Sequence, residues 1–278
     1  MELCRKRSFG ILAGVIIERL WPDNAWRNFH YLVACETTGE ALAIDPLDWE
    51  LVLSTARTRG WDVTHILNTH EHRDHTGGNA DLRAATGARV LAHAGAGAKI
   101  AGIDRGLREG DVVRIGRDVE LECLDTPGHT RAHLCLLAHG DTPALLCGDT
   151  LFNAGAGNCH NGGDPEALYD TFARLAKLPD ATVVHPGHDY LARNLAFTLD
   201  REPGNTDAAA LLARVDDGAR GGAAAPLTTL GDERKINTFF RLEQREIVAR
   251  LRATFPELSV APTSKEIFLK LRELRNRW

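Results

Sequence analysis

The residues best suited to chemistry lie in one stretch, Thr69-His70-Glu71-His72-Arg73-Asp74-His75-Thr76-Gly77-Gly78-Asn79. It follows Val63 to Leu67, a short apolar run of the kind that forms a buried strand. Residues two apart in an extended segment share a face, so His70 and His72 can address one metal ion. Asp74 and His75 come after the chain turns and can address a second point a few ångströms away. Two metal ions about 3.5–4 Å apart clamp both the attacking and the leaving group of a hydrolysis.

Three further clusters supply what a two-metal site still needs. Thr126-Pro127-Gly128-His129-Thr130, Cys147-Gly148-Asp149-Thr150 and Pro186-Gly187-His188-Asp189 each follow an apolar run and carry a glycine. Loops at one edge of a sheet bring such side chains together. The expected ligands are His70, His72, Asp74, His75, His129, Asp149 and His188. Imidazole with carboxylate suits two divalent ions, zinc first, with iron or manganese as alternatives; no cluster of thiolates points to a cysteine site.

In order and type these seven residues resemble the ligand series of the metallo-β-lactamase superfamily. Thr76-Gly77-Gly78-Asn79, Gly148-Asp149-Thr150-Leu151-Phe152 and Gly187-His188-Asp189-Tyr190 are similar, more narrowly, to the hydroxyacylglutathione hydrolase (glyoxalase II) family. The likeness continues through Asn194-Leu195-Ala196-Phe197, Glu202-Pro203-Gly204-Asn205, Leu227-Thr228-Thr229-Leu230 and Phe239-Phe240-Arg241. The resemblance implies an α/β fold, an αββα sandwich with a C-terminal helical subdomain. By position, His70, His72 and His129 would hold one metal and Asp74, His75 and His188 the other, with Asp149 bridging. Asp74 is also the candidate to orient the attacking hydroxide. The implied reaction cleaves a thioester: a thiolate, from a thiol of pKa about 8.5, leaves with little protonation.

The substrate contacts are where this chain departs from its family. The resemblance implies a glycine, a basic residue and an aromatic in the loop that meets glutathione. Here the loop reads Gly157-Asn158-Cys159-His160, so Asn158 and His160 stand at the basic and aromatic positions. Tyr190 and Arg241 match family contacts, and Arg245 stands where a lysine is usual. A small anionic thioester, glutathione-linked, is therefore the expected partner. Coenzyme A and carrier-protein thioesters are the alternatives. His133, four residues beyond His129, is a candidate to support the Thr126 to Thr130 loop.

The elements that must position these residues can be read from pattern. Strands are expected at 15–20, 29–34, 40–44, 63–67, 89–92, 111–115, 119–124, 133–138, 144–147 and 181–184. Helices are expected at 49–59, closed by Gly60, at 80–85, and from Asp164-Pro165-Glu166, a helix start with proline in first position. Beyond a helix at 190–200 only helical patterns appear, the last opened by a capping box from Thr263 to Glu266. Gly221 to Pro226 reads as a loop or linker. The expected division is a catalytic domain over 1–195 and a helical substrate-binding subdomain over 196–278.

Composition bounds the rest. The 278 residues are 44% hydrophobic and 26% charged, ordinary globular usage. The net charge of −5 excludes a general nucleic-acid footprint. Its distribution is uneven: residues 234–278 carry 11 basic against 5 acidic side chains, and the rest carry 22 against 33. The apolar run from Phe9 to Ile17 is too short to span a membrane, and no small-residue cleavage site follows it. Six cysteines without a C-x-x-C read as small buried hydrophobes, and the chain is placed in the cytoplasm.

Rival readings are weaker. A mononuclear iron persulfide dioxygenase of the same superfamily would not need the helical extension. A β-lactamase or lactonase leaves Phe239-Phe240-Arg241 unexplained. A ribonuclease would want a basic body. A binding protein that had lost turnover would be expected to lack a ligand.

Overall fold

Strict alternation of side chains along two sets of strands builds the frame. The computed structural model describes residues 15–22, 24–220 and 225–278. Cys4, most of the Phe9 to Ile17 run and most of the Gly221 to Pro226 segment lie outside the described residues.

The first sheet holds β1 (Val15–Leu20), β2 (His30–Cys35), β3 (Glu40–Ile44), β4 (Asp62–Asn68), β5 (Arg89–His93) and β6 (Arg105–Leu107) in chain order. β1 to β3 pair antiparallel, and β3 to β6 run parallel. Leu42 and Ile44 face the core between the sheets, with Leu67 and Leu91. Ala41 and Ala43 face outward onto Val52, Ala56 and Leu82. Those three belong to helices α1 (Trp49–Arg59) and α3 (Asn79–Thr86), separated along the chain by the single turn α2 (Arg73–Thr76). The Asp48 side chain caps α1 at Leu51 N–H, and Gly60 ends it in the left-handed conformation, φ 71°.

The second sheet runs β14-β13-β10-β9-β8-β7, from β7 (Val112–Ile115), β8 (Val119–Asp125), β9 (Leu134–Ala138) and β10 (Ala144–Gly148) to β13 (Val183–Pro186) and β14 (Thr228–Thr229). Leu146 joins the core between the sheets, whereas Leu145 and Cys147 face helices α4 (Pro165–Leu175), α8 (Arg245–Thr254) and α9 (Ser264–Arg277). A small hairpin, β11 (Leu151–Phe152) and β12 (Gly155–Ala156), follows β10. Helices α5 (Leu191–Arg201), α6 (Thr206–Arg220) and α7 (Leu230–Ile236) complete the chain, the first two packed together. The layers are therefore helix, sheet, sheet, helix: the expected αββα sandwich with a helical C-terminal region.

One local expectation is corrected. The chain beyond residue 195 is not wholly helical: Thr228 and Thr229 form β14, the edge of the second sheet, antiparallel to Val184 and Val183. Two residues carry no periodicity, so this strand is set by its neighbour rather than by its own pattern.

Candidate metal centre and adjoining cavity

Every expected ligand follows a strand of one of the two sheets, at the same edge of the sandwich. His70, His72, Asp74 and His75 come after β4; His129, Asp149 and His188 come after β8, β10 and β13. Close approach fixes the first loop, since a Cβ at Gly78 would collide with the Pro46 carbonyl. The structure brings all seven side chains together. Ligand atoms of His70, His72 and His129 lie within 4.8 Å of one another, as do those of His70, His75 and Asp149, and those of Asp74, His75 and His188.

Asp149 sits between the groups. Its Oδ1 is 3.5 Å from His75 Nε2, and its Oδ2 is 3.4 Å from His129 Nε2 and 3.2 Å from His188 Nε2. Asp74 Oδ2 lies 3.4 Å from His188 Nε2 and 3.6 Å from His75 Nε2. His72 Nδ1 is 3.0 Å from both His70 Nε2 and His129 Nε2. Nitrogen lone pairs aimed at one another this closely repel unless a proton or a cation lies between them. Asp149 Oδ1 is buried without a hydrogen-bond partner, so the arrangement fits divalent ions.

The second nitrogen of each ring is tied down from outside. His75 Nδ1 lies 2.9 Å from Asp45 Oδ2, His129 Nδ1 2.6 Å from the Asn158 carbonyl, and His188 Nδ1 2.8 Å from the Trp26 carbonyl. His70 Nδ1 meets Thr69 Oγ1 at 3.0 Å, and that hydroxyl donates to Asp45. Such partners orient a ligand and raise its basicity. Burial disfavours charge on His75, but Asp149 and then Asp45 hold its pKa well above the usual range. Burial would raise Asp149, yet His188 and His75 keep it well below. His133 does support the loops: its ring meets Thr126 Oγ1 and Thr150 Oγ1, accepts from Asp149 N–H, and stacks on His70 at 5.2 Å.

Beside the centre lies a cavity of about 260 Å³. Tyr190 stacks on His188, centroids 4.9 Å apart, and Phe152 meets both rings edge-on. Of the expected substrate contacts, Tyr190, Asn158 and His160 line this cavity. Arg241 and Arg245 do not. Arg241 is held by Glu202 in a two-pronged pair at 2.7 and 2.6 Å, and Arg245 borders a different cavity beside α8. The cations on the wall are instead Arg193, Arg272 and Arg275, with no carboxylate among the lining residues. Arg275 donates to Asn194 Oδ1, and Arg272 to the Ala156 and Gly157 carbonyls. Burial, and for Arg275 the nearby Arg193, pulls both guanidinium pKa values down to about 10.

Sequence reasoning missed Asp45 and these three arginines. The spacing Arg272-x-x-Arg275 puts two cations on one face of the closing helix, a signal that was present but not distinctive.

Comparison with known proteins places this geometry. The family model described as the metallo-beta-lactamase superfamily matches residues 30–188, and that of the hydroxyacylglutathione hydrolase C-terminus matches residues 189–278. A protein named hydroxyacylglutathione hydrolase from Polaromonas sp. strain JS666 is 60% identical over 95% of this chain and all of its own length. The chain belongs to the hydroxyacylglutathione hydrolase family. A second relative of that name, from Nitrosococcus oceani, is 58% identical over the same shares. Among solved structures, ETHE1 from Myxococcus xanthus matches with a TM-score of 0.63 and 28% identity, over 88% of this chain and 92% of its own. The boundary between the two matched family regions falls between the last expected ligand, His188, and Asp189. No described helix is long and apolar enough to cross a membrane.

Proposed function

We propose that this member of the hydroxyacylglutathione hydrolase family cleaves S-(2-hydroxyacyl)glutathione to a 2-hydroxy acid and glutathione. The observation that carries the reading is the junction of seven converging ligands with a cavity bearing three arginines and no carboxylate. Two divalent ions, when bound, supply Lewis acidity that lowers the pKa of water toward about 7 and polarises a carbonyl. His70, His72 and His129 would hold one and Asp74, His75 and His188 the other, Asp149 bridging. The histidine and carboxylate set suits zinc, with iron or manganese as alternatives.

The chain's own residues do the rest. Asp74, the more exposed of the two carboxylates at 19% against 8% for Asp149, can accept a proton from the attacking water and aim it at the acyl carbon. Arg193 and Arg275 hold the anionic carrier, and Tyr190 and Phe152 wall the passage between carrier and metal centre. Asn158 acts here through its backbone, fixing His129, while Asn161 does the same for His72 at 3.3 Å. The leaving thiolate needs no dedicated acid. Buried thiols at Cys35, Cys123, Cys135 and Cys147 suit a reducing cytoplasm.

The test is a steady-state assay with S-lactoylglutathione beside a coenzyme A thioester, on protein whose metal content is counted. Rapid turnover of the first with about two ions per chain supports the reading. Two ions with poor turnover of it rejects glutathione as carrier. One iron with oxygen consumed in the presence of glutathione persulfide overturns the hydrolase.

A further inference from the structure

The segment from Asp149 to Asn158 begins at the metal centre and ends on the cavity wall, and its two halves are held by different parts of the molecule. The first half is tied to the second sheet and its loops: Asp149 N–H donates to His133, and Thr150 Oγ1 to the Thr126 carbonyl. The second half is held mainly from the helical region, although Asn153 Nδ2 also donates to the Val184 carbonyl and Thr228 Oγ1 of the second sheet, and Gly157 N–H to the Thr150 carbonyl. Asn194 donates to the Asn153 carbonyl, Asn237 to that of Gly155, and Arg272 to those of Ala156 and Gly157.

At the tip sits Glu233, from α7, fully buried. Both its oxygens accept the Ala154 N–H at 3.0 Å, Thr228 Oγ1 donates to one at 2.5 Å, and Asn237 Nδ2 to the other at 2.7 Å. No described lysine or arginine pairs with it. A buried carboxylate without a cation is costly to keep, and its donors offset that cost only where the fold demands the contact. Ala154 shows the demand: its φ is 59°, the left-handed region that favours glycine, and Glu233 grips the N–H of that same residue.

We propose that Glu233 is a positioning residue for substrate binding: by pinning Ala154 in its left-handed conformation it sets the hairpin that carries Phe152, Ala156 and Asn158 to the carrier cavity. It acts on the cavity before the metal centre: Asp149 is held independently by His133, and Asn158, whose carbonyl also meets His129 Nδ1, lies beyond the bonds from Arg272. The assignment rests on the proposed thioester reaction for its kinetic readout but not for its structural one.

The experiment compares wild type with E233M, which fills a similar volume but offers no oxygen to the Ala154, Thr228 and Asn237 donors. Metal content, kcat and KM for S-lactoylglutathione, and hydrogen exchange at the hairpin amides are measured. Expected are unchanged metal content, kcat within about twofold, KM raised about tenfold, and exchange at residues 153–157 faster by about tenfold while 149–151 stay protected. The double variant E233M/A154G is expected to recover at least half of the KM change on a logarithmic scale, since glycine needs no pin at positive φ. If E233M does not fold, T228V removes one donor at constant size and is expected to give the same split at smaller size. An unchanged KM and exchange pattern, or a joint fall in metal content and kcat, overturns the proposal. If wild type hydrolyses no glutathione thioester the reaction assignment fails, and the exchange result alone then decides for or against the pin.

Discussion

Asp45 Oδ2 lies 2.9 Å from His75 Nδ1, and both side chains are buried behind the metal centre. The same carboxylate accepts the Thr69 N–H and hydroxyl, so one residue fixes a ligand and the strand end from which four ligands emerge. Its backbone is left-handed, φ 49°, a conformation that Asp and Asn tolerate better than most side chains. D45N therefore keeps shape and backbone while removing charge. It is expected to weaken metal binding by about 10- to 100-fold. Competition against a chelator of known affinity checks this, and an unchanged affinity would reduce Asp45 to a packing role.

Removing the ions tests the centre as a whole. Dialysis against a strong chelator is expected to abolish thioester hydrolysis, and returning two equivalents of divalent ion to restore it. D149N, which takes away the carboxylate shared between the groups, is expected to lose at least one ion per chain. Elemental analysis reads this directly, and a variant that still binds both ions would remove Asp149 from the bridging role.

The two arginines first matched to the family and the arginines of the cavity wall separate in a pair of substitutions. R241A leaves the buried Glu202 without its cation, with Asn205 Nδ2 still donating to it, and is expected to cost on the order of 2–3 kcal/mol in stability, with KM nearly unchanged. R275A removes a cation from the cavity wall and is expected to raise KM for S-lactoylglutathione about 10- to 100-fold, the range of one charged hydrogen bond. Urea melts and initial rates on both variants decide, and the opposite pattern would return substrate binding to Arg241.

Glu233 also sets a pH dependence of stability. Burial raises its pKa from 4.5 to about 7, opposed by hydrogen bonds from Thr228, Ala154 and Asn237 and aided by the charge of Asp232. A raised carboxylate pKa means that the fold favours the protonated form. The contribution is fully present below pH 4.5 and is lost as pH rises through about 7, a change of about 3 kcal/mol. Wild type is expected to lose that much stability relative to E233Q between pH 4.5 and 8. Parallel slopes for the two proteins in denaturant titrations would contradict it.

How much could be read in advance followed the length scale of each feature. The ligand cluster was legible because His70, His72, Asp74 and His75 crowd six residues, and the strands before His129, Asp149 and His188 end in recognisable turns. Asp45 was not, because in linear order it is an ordinary Asp-Pro pair, 30 positions before the histidine it holds. Arg241 was matched by pattern to the substrate, and only the fold reveals Glu202 across from it. β14 escaped notice because two threonines become a strand only when β13 offers an edge. The substrate loop combined both outcomes: Asn158 and His160 do reach the cavity, yet the action of Asn158 on His129 is a backbone contact that no side-chain pattern encodes.

The proposed ligands come from loops of both sheets, and this would give bound ions a mechanical role. An ion held by His129 and His70 would cross-link the two layers, much as a disulfide does, and oppose their separation while it stayed in place. Free metal then acts as a stability buffer: a concentration 100 times the dissociation constant adds about 2.7 kcal/mol per ion. Metal starvation would thus expose the whole chain to proteolysis rather than merely idle its active site, so the protein's abundance would follow metal supply.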